Sequence, residues 1–137
     1  MTLNKNLRIK IAEIVKKSGE GHIPSCFSIV DIISFLYEKV LRFKSDQPKW
    51  TDRDYFILSK GHGSGALYVV LEKNNFISAK ELNSYSLKGS ILGGHPDSTK
   101  IPGVEASTGS LGHGLSTAIG IALGLKIKNM KNKVLCL

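Results

Sequence analysis

Two short apolar runs, separated by helical segments, constrain the fold of this chain more than any other feature. Residues 55–58 and 133–137 have the length and composition of strands that are buried on both faces. Strands that are connected through helices pair in parallel, with helices covering both faces of the sheet. We therefore predict an α/β fold, a parallel sheet with helices on both faces, within one domain over residues 1–137.

Apolar residues at three- and four-residue spacing predict helices before and between these strands. The predicted helices cover residues 7–17, 28–40, 66–73, 78–85 and 111–129. Capping boxes are expected to open two of them, at Ser28 with Asp31 and at Ser78 with Glu81. Residues 45–54 are predicted to be a polar linker. Residues 86–110 are predicted to be a long loop, which in a compact domain is typical of a functional segment.

The net charge of +8 raises the question of a nucleic-acid partner. All of the excess lies in residues 1–17 and 126–133, and the residues between them are balanced. The basic residues of the first segment alternate with apolar ones, as on the wet face of a helix. Those of the second segment end a helix, where the helix dipole favours cations. Because no aromatic residues accompany the lysines, we expect solvated helix faces and no nucleic-acid partner.

Cysteine usage and hydropathy indicate the compartment. Cys26 and Cys136 form neither a disulfide framework nor a CxxC pair, so we expect a reduced, cytoplasmic chain. No signal-peptide pattern opens the sequence. The most apolar stretch, residues 115–125, is too short and too rich in Gly, Ser and Thr to span a bilayer, so we expect no membrane partner.

Each of the four histidines directly follows a glycine, which chance would produce about once in ten thousand sequences of this composition. Glycine permits close backbone approach, and an imidazole near neutral pKa can donate, accept and shuttle protons. His62 follows the first strand, and the segment GSLGHG, residues 109–114, opens the last helix. Both lie where backbone amides can face an anion such as a diphosphate. We predict that the Gly-His loops meet around one polar ligand.

Other kinds of site fit the sequence less well. It contains neither the Gly-Lys-Ser/Thr of a P-loop nor the GxSxG of a serine hydrolase. The histidines lack the short spacing of structural zinc ligands, and no cysteine accompanies them. A binding module without catalysis is the alternative that the residues alone leave open.

Four stretches of the chain resemble the amino-terminal part of transketolases, the thiamine-diphosphate enzymes that transfer two-carbon ketol units. They are, in order, GEGHIPSCFSIVDI, DRDYFILSKGHGSGALY, GGHPD and PGVEASTGSLGHGLSTAIGIALG. SKGH and TGSLGHGL are together the most specific. The resemblance is strongest to versions in which this half is a separate chain. It implies a thiamine-diphosphate-binding fold, sugar-phosphate substrates, and an oligomer that is completed by a second, pyrimidine-binding subunit or half.

The resemblance also implies roles for individual residues. His62 matches the histidine beside the cofactor diphosphate and the substrate. His22 and His95 match catalytic histidines that line the substrate channel and bind the hydroxyls and carbonyl of the donor. His113 stands where many members have glutamine. Cofactor-binding positions of the family, in addition to His62, are matched by Ser25, Gly109, Ser110, Leu111 and Gly112.

The family holds its Mg²⁺ with a Gly-Asp-Gly motif after the strand that residues 133–137 match, and with an asparagine further on. Neither is in this sequence. The resemblance therefore implies a chain that is incomplete at its carboxyl end, with the metal ligands beyond Leu137 and none among its own residues. We expect this fragment alone to be inactive. The alternatives are a deoxyxylulose-phosphate-synthase-like enzyme, against which the SKGH motif argues, and a non-catalytic truncated remnant or binding module.

Overall fold

Both predicted strands are present and pair in parallel. The computed structural model describes residues 4–137 of the protein. Strand β1 (Tyr55–Ile57) pairs with strand β2 (Val134–Cys136) in the register that sets Phe56 opposite Leu135. Parallel pairing needs a long crossover connection, and the residues between the strands supply it through helices. The predicted parallel sheet is confirmed.

Within residues 4–137, six α-helices surround the two strands. They are α1 (Lys5–Ser18), α2 (Ile23–Phe27), α3 (Val30–Lys39), α4 (Ser64–Lys73), α5 (Ala79–Leu82) and α6 (His113–Ile127). A 3₁₀ turn, Gly61–Gly63, joins β1 to α4. The five helices predicted from apolar spacing are all found, with their ends shifted by a few residues. The additional helix, α2, is too short to show a periodic pattern.

Alternation of side chains along β1 divides the buried residues between the two faces of the sheet. Phe56 and Leu58 join the main core, which is built largely from α1, α3 and α4. Ile57 is buried as well, but points to the opposite face, where α6 packs against both strands. The prediction of helices on both faces is confirmed.

Helix α1 separates its buried apolar residues from the basic residues of its last turn. Leu7, Ile11 and Ile14 are buried on one side of the helix, while Lys16 and Lys17 are exposed in its last turn. Cations in the last turn are favoured by the helix dipole. Lys16 and Lys17 therefore lie on the solvated side of an amphipathic helix, as predicted, whereas Arg8 and Lys10 are half-buried and pair with acidic residues.

The two predicted capping boxes have different outcomes. The box at Ser78 and Glu81 is confirmed, because each side chain accepts from the backbone amide of the other residue. The box at Ser28 and Asp31 is wrong. Asp31 instead accepts two hydrogen bonds from the Arg8 guanidinium, at 2.9 and 2.6 Å. A charge-assisted bidentate pair is stronger than a neutral cap, so α3 begins at Val30 without one.

The predicted polar linker over residues 45–54 is wrong at its last residue, because Asp54 is buried. Its side chain has no exposed area and accepts from the Arg42 guanidinium at 2.9 Å. The same carboxylate accepts from the backbone amides of Arg42, at 2.9 Å, and of Lys133, at 2.7 Å. Asp54 therefore joins the start of β1 to the start of β2.

Helix α6 is apolar on its outer side as well as on its buried side. Gly114, Ala118 and Leu125 are buried. Every fourth residue on the outer side is more than half exposed, namely Leu115, Ile119, Leu123 and Ile127, and so is Leu111, two residues before the helix. Among the described residues, no helix combines the length and the apolar character that crossing a membrane requires.

Candidate functional site

The carboxyl end of β1 positions the central histidine of the site. The chain leaves the strand into the Gly61–Gly63 turn, where His62 is half-buried. A Cβ on Gly61 would lie 2.6 Å from the carbonyl oxygen of Thr108, so only glycine fits there. The Thr108 hydroxyl in turn donates to the Leu58 carbonyl at 2.6 Å. These contacts hold the end of the long loop, residues 86–110, against the end of the strand.

His22 lies beside His62. His22 is the residue that precedes α2, and its ring stands edge-on to the ring of His62, with the centroids 5.4 Å apart and the planes at 82°. The two histidines are distant in sequence and lie on separate elements. The structure therefore brings together two of the three predicted catalytic histidines in direct ring contact.

The third predicted histidine, His95, is placed by the buried polar side chains of α4. The Ser64 hydroxyl donates to the Gly94 carbonyl at 2.8 Å, and the Tyr68 hydroxyl lies 3.1 Å from the His95 carbonyl. The His95 ring then covers Gly109, where an added Cβ would lie 3.3 Å from its Cδ2. The His95 side chain itself is exposed. The backbone of this loop is therefore held by α4, while the His95 imidazole faces solvent.

The charges around His62 favour its neutral form. Burial lowers the pKa of His62 below its ordinary value, and the neighbouring Lys60, His22 and His95 lower it further. A second proton would add positive charge beside groups that are cationic or can become so. A neutral imidazole can donate at one nitrogen and accept at the other. His62 is therefore suited to holding or moving a proton near neutral pH.

The backbone of residues 109–112 lies at the surface, where the long loop enters α6. Ser110 is exposed, Leu111 is 68% exposed, and Gly112 takes the left-handed conformation, with φ of 89°. Within the described chain, α6 begins without a side-chain cap and without an acidic residue in its first turn. The first amides of a helix without a cap can bind an anion.

Ser25 and His113 lie at the margins of this arrangement. The Ser25 carbonyl faces the connection between β1 and the 3₁₀ turn, where it lies 3.4 Å from the Lys60 ammonium. His113 is the first residue of α6 and is exposed. Among the described residues, the charged groups that lower the pKa of His62 are Lys60, His22 and His95, and His113 is not one of them.

The described residues do not form a metal centre. No group of three or more His, Cys, Asp or Glu side chains within residues 4–137 could hold a metal ion. Asp97, the carboxylate close to His95 in sequence, instead accepts from the Thr99 amide at 2.9 Å and pairs with Lys100 at 2.8 Å. The Asp97 carboxylate is therefore bonded within its own loop, to residues two and three positions further on.

Four residues that position the site were not singled out from the sequence: Lys60, Ser64, Tyr68 and Thr108. Ser64 and Tyr68 carry a signal that could have found them. They are one turn apart in the otherwise apolar helix α4, and both are fully buried. Buried hydroxyls need partners, so a polar pair on a buried helix indicates a loop that is held there. Lys60 and Thr108 stand in the SKGH and TGSLGHGL stretches, but no local pattern indicates their partners, which are distant in sequence.

Comparison with known proteins shows where similar chains occur. Residues 2–133 match the family described as transketolase, thiamine diphosphate binding domain. The chain is 44% identical over 120 residues to one subunit of the apulose-4-phosphate transketolase of Phocaeicola vulgatus, covering 88% of this chain and 42% of that protein. It is 34% identical over 122 residues to the 6-deoxy-6-sulfo-D-fructose transketolase subunit SqwG of a Clostridium species, covering 89% and 44%. The chain thus spans less than half the length of these relatives.

Solved structures agree with these relatives. The transketolase of Leishmania mexicana superposes with a TM-score of 0.81 at 33% identity, over 85% of this chain and 18% of that one. The transketolase of Campylobacter jejuni superposes with a TM-score of 0.76 at 32% identity, over 88% and 19%. The described fold is therefore similar to one part of a much longer chain in each of these proteins.

Proposed function

Because this chain belongs to the transketolase family, through its thiamine-diphosphate-binding domain, we propose that it forms the amino-terminal part of that domain in a two-carbon transferase. The enzyme would move a ketol unit between sugar phosphates. The observation that carries this proposal is the meeting of His22, His62 and His95 beside Gly109, at the carboxyl end of a parallel strand. Ligands of open α/β sheets bind at such strand ends.

The described residues fit the diphosphate cofactor. The exposed backbone of residues 109–112 opens a helix that has, within the described chain, no side-chain cap and no acidic first turn. It can therefore accept an anion, with Ser110, Leu111 and Gly112 contributing backbone groups and Ser25, on α2, adding a further contact. Thiamine diphosphate, when bound, supplies the nucleophilic carbon that carries the two-carbon unit. The protein supplies position and polarity.

The three histidines would orient and polarise the sugar. His62, whose pKa is depressed, stays neutral near pH 7, and can donate to a carbonyl or take a proton from a hydroxyl. His22 and His95 are exposed near it and would bind the hydroxyls and carbonyl of the donor. Hydrogen bonds aimed at developing charge are the largest contribution that such groups make to catalysis.

The proposed site contains Mg²⁺, although no group of side chains among the described residues could hold it. A diphosphate needs a divalent cation to offset its charge. Within residues 4–137 no group of side chains could hold one. We therefore assign the Mg²⁺ ligands to residues outside Asn4–Leu137.

A second, pyrimidine-binding subunit or half is the proposed partner. The relatives from Phocaeicola vulgatus and Clostridium are named as transketolase subunits, and each is longer than this chain. The exposed apolar residues of α6 support a partner as well, because contiguous apolar surface of this kind is typical of protein interfaces. We place the oligomeric enzyme in the cytoplasm, where the free thiols of Cys26 and Cys136 would stay reduced.

Substitution of single histidines in the assembled enzyme tests the proposed function. His62→Ala should lower kcat for ketol transfer by about a hundred- to a thousandfold, the usual cost of one lost donor to developing charge. His113→Ala is the matched control, because that histidine is exposed at the start of α6, and it should change kcat much less. The measurement is the steady-state rate of both variants with a ketose-phosphate donor. Equal and near-wild-type rates would contradict the assignment.

A further inference from the structure

Lys60 makes a contact that its place in the sequence does not suggest. It lies between β1 and the Gly61–Gly63 turn, directly before the turn that carries His62. Its ammonium reaches across to the end of α2, where Nζ lies 3.2 Å from the Ser28 hydroxyl and 3.4 Å from the Ser25 carbonyl. One side chain therefore connects two elements that are otherwise separate along the chain.

The contact is made at the end of α2 where a cation is most favourable. The last carbonyls of a helix lack intrahelical partners and carry partial negative charge. Ser28 directly follows α2, and His22 directly precedes it. Because α2 has only five residues, a link at one end also restrains the other. The separation of 5.4 Å between the His22 and His62 rings depends on how this short helix sits against the turn.

The same ammonium contributes to the electrostatics of the histidines. Three neighbouring groups oppose protonation of His62: Lys60 from the connection after β1, His22 from the position before α2 and His95 from the long loop. Lys60 is the ammonium group among them, and the other two are imidazoles. Lys60 is therefore the group whose charge a substitution can remove without altering either neighbouring ring.

We propose that Lys60 is a positioning residue of the site, which fixes α2, the helix that directly follows His22, to the turn bearing His62 and places its ammonium group beside the two histidines. It acts through the two histidines and not on the sugar itself. The consequence for turnover rests on the proposed function. The positioning and the charge effect do not, since both can be measured in the chain without substrate.

The direct test is a titration of the histidine rings by NMR in the 137-residue chain, comparing wild type with Lys60→Met and Lys60→Arg. Lys60→Met removes the charge and both contacts, so the pKa of His62 should rise and the ring-proton Overhauser contact between His22 and His62 should weaken. Lys60→Arg keeps a cation with long reach and should preserve both signals. Lys126→Met is the matched control. It removes one charge from the last turn of α6, about 20 Å along the helix from its start, and should leave His62 unchanged.

Two results would overturn the role of Lys60. One is a folded Lys60→Met chain in which the His62 titration and the ring contact match wild type. The other is an equal shift in Lys126→Met, which would show an effect of net charge alone. If Lys60→Met does not fold, Lys60→Gln tests the charge effect by itself, because it removes the charge while keeping a donor, and an unchanged His62 titration in that variant would contradict the charge effect.

Turnover of the assembled enzyme separates this inference from the proposed function. A raised pKa leaves His62 protonated at higher pH, so the acid limb of the kcat/KM profile should move to higher pH in Lys60→Met and return in Lys60→Arg. An unmoved limb in an active Lys60→Met enzyme would contradict the inference alone. Absence of ketol transfer in the assembled wild-type enzyme would contradict the proposed function, and would leave the ring titration to decide the positioning role.

Discussion

Asp54 is a buried residue whose carboxylate accepts four hydrogen bonds. Burial raises the pKa of its carboxyl group, but the Arg42 guanidinium and the amides of Lys133 and Arg42 outweigh burial, and the net pKa lies below the ordinary value. The carboxylate is therefore the form that the fold stabilises. It holds both strands at their amino-terminal ends, at the edge of the sheet opposite to the histidines.

Asp54→Ala should lower the free energy of unfolding by about 2–4 kcal/mol, because a polar group that loses its partner costs about 1–3 kcal/mol and two amides lose theirs. Urea denaturation of the purified chain measures this loss. Asp46→Ala is the control, since Asp46 is exposed in the same segment, and its effect should stay within about 0.5 kcal/mol. Equal midpoints for the two variants would show that the carboxylate does not join the strands.

The contribution of Asp54 should also depend on pH. Its pKa is lower in the folded chain than in the unfolded one, so the stabilisation is complete above the unfolded value, about 3.9 for aspartate, and is lost as pH falls through the folded value. Asp54→Asn does not titrate at this position. The difference in unfolding free energy between wild type and Asp54→Asn should therefore shrink below about pH 4.

At the scale of elements, helix α6 depends on one close approach to the strand that positions the site. Gly114 lies in the first turn of α6, and a Cβ there would lie 2.5 Å from the Cα of Ser59. Ser59 follows β1 and precedes the turn that carries His62. Any larger residue must push the helix away from the end of the strand, where the backbone of residues 109–112 meets the histidines.

Gly114→Ala should destabilise the chain by about 1–3 kcal/mol through this overlap. Gly120→Ala, in the same helix, is the matched comparison, because a Cβ there meets no described atom within 4 Å. Alanine is the better helix former by about 1 kcal/mol, so Gly120→Ala should stabilise. Thermal unfolding of both variants measures the opposite signs. Stabilisation by both would place α6 further from β1 than described.

At the scale of the whole molecule, the chain brings together the residues proposed to bind the cofactor, without a metal centre among its described residues. The histidines and the start of α6 can meet a diphosphate, but no group of side chains within residues 4–137 could bind the accompanying cation. A diphosphate against backbone amides alone keeps much of its charge uncompensated. Residues 4–137 therefore offer backbone donors for a diphosphate, but no group of three or more side chains that could hold a metal ion.

Calorimetry of the isolated 137-residue chain with thiamine diphosphate and Mg²⁺ should therefore show little heat. The assembled enzyme, titrated in the same buffer, serves as the control and should bind both. Micromolar affinity in the isolated chain would mean that its own residues complete the metal site. In that case the assignment of the magnesium ligands to other residues would be wrong.

Much of the fold was predictable because its signals are local. The two apolar runs indicate strands, their separation by helices indicates parallel pairing, and the cap at Ser78 and Glu81 needs only residues three apart. Burial on both faces was expected for both strands, but the residues of β2 are only half-buried. The Gly-His pairs likewise indicated a shared site, because glycine beside imidazole is costly without a reason for close approach. The ring contact between His22 and His62 agrees with this prediction, although the catalytic and cofactor-binding roles stay predictions.

The wrong predictions concern side chains that could bond either to a residue nearby in sequence or to a distant one. Asp31 is close enough in sequence to form a capping box with Ser28. Its carboxylate instead accepts two charge-assisted hydrogen bonds from Arg8, which is 23 residues away. Asp54 looks like a linker residue until Lys133, 79 residues away, donates to it. Local patterns thus settled which segments become strands, helices and Gly-His loops, because those depend on propensity and spacing within a few residues. The long-range partners of Asp31, Asp54 and Lys60 emerged only on folding, since hydrogen-bond energy depends on distance in space and not along the chain.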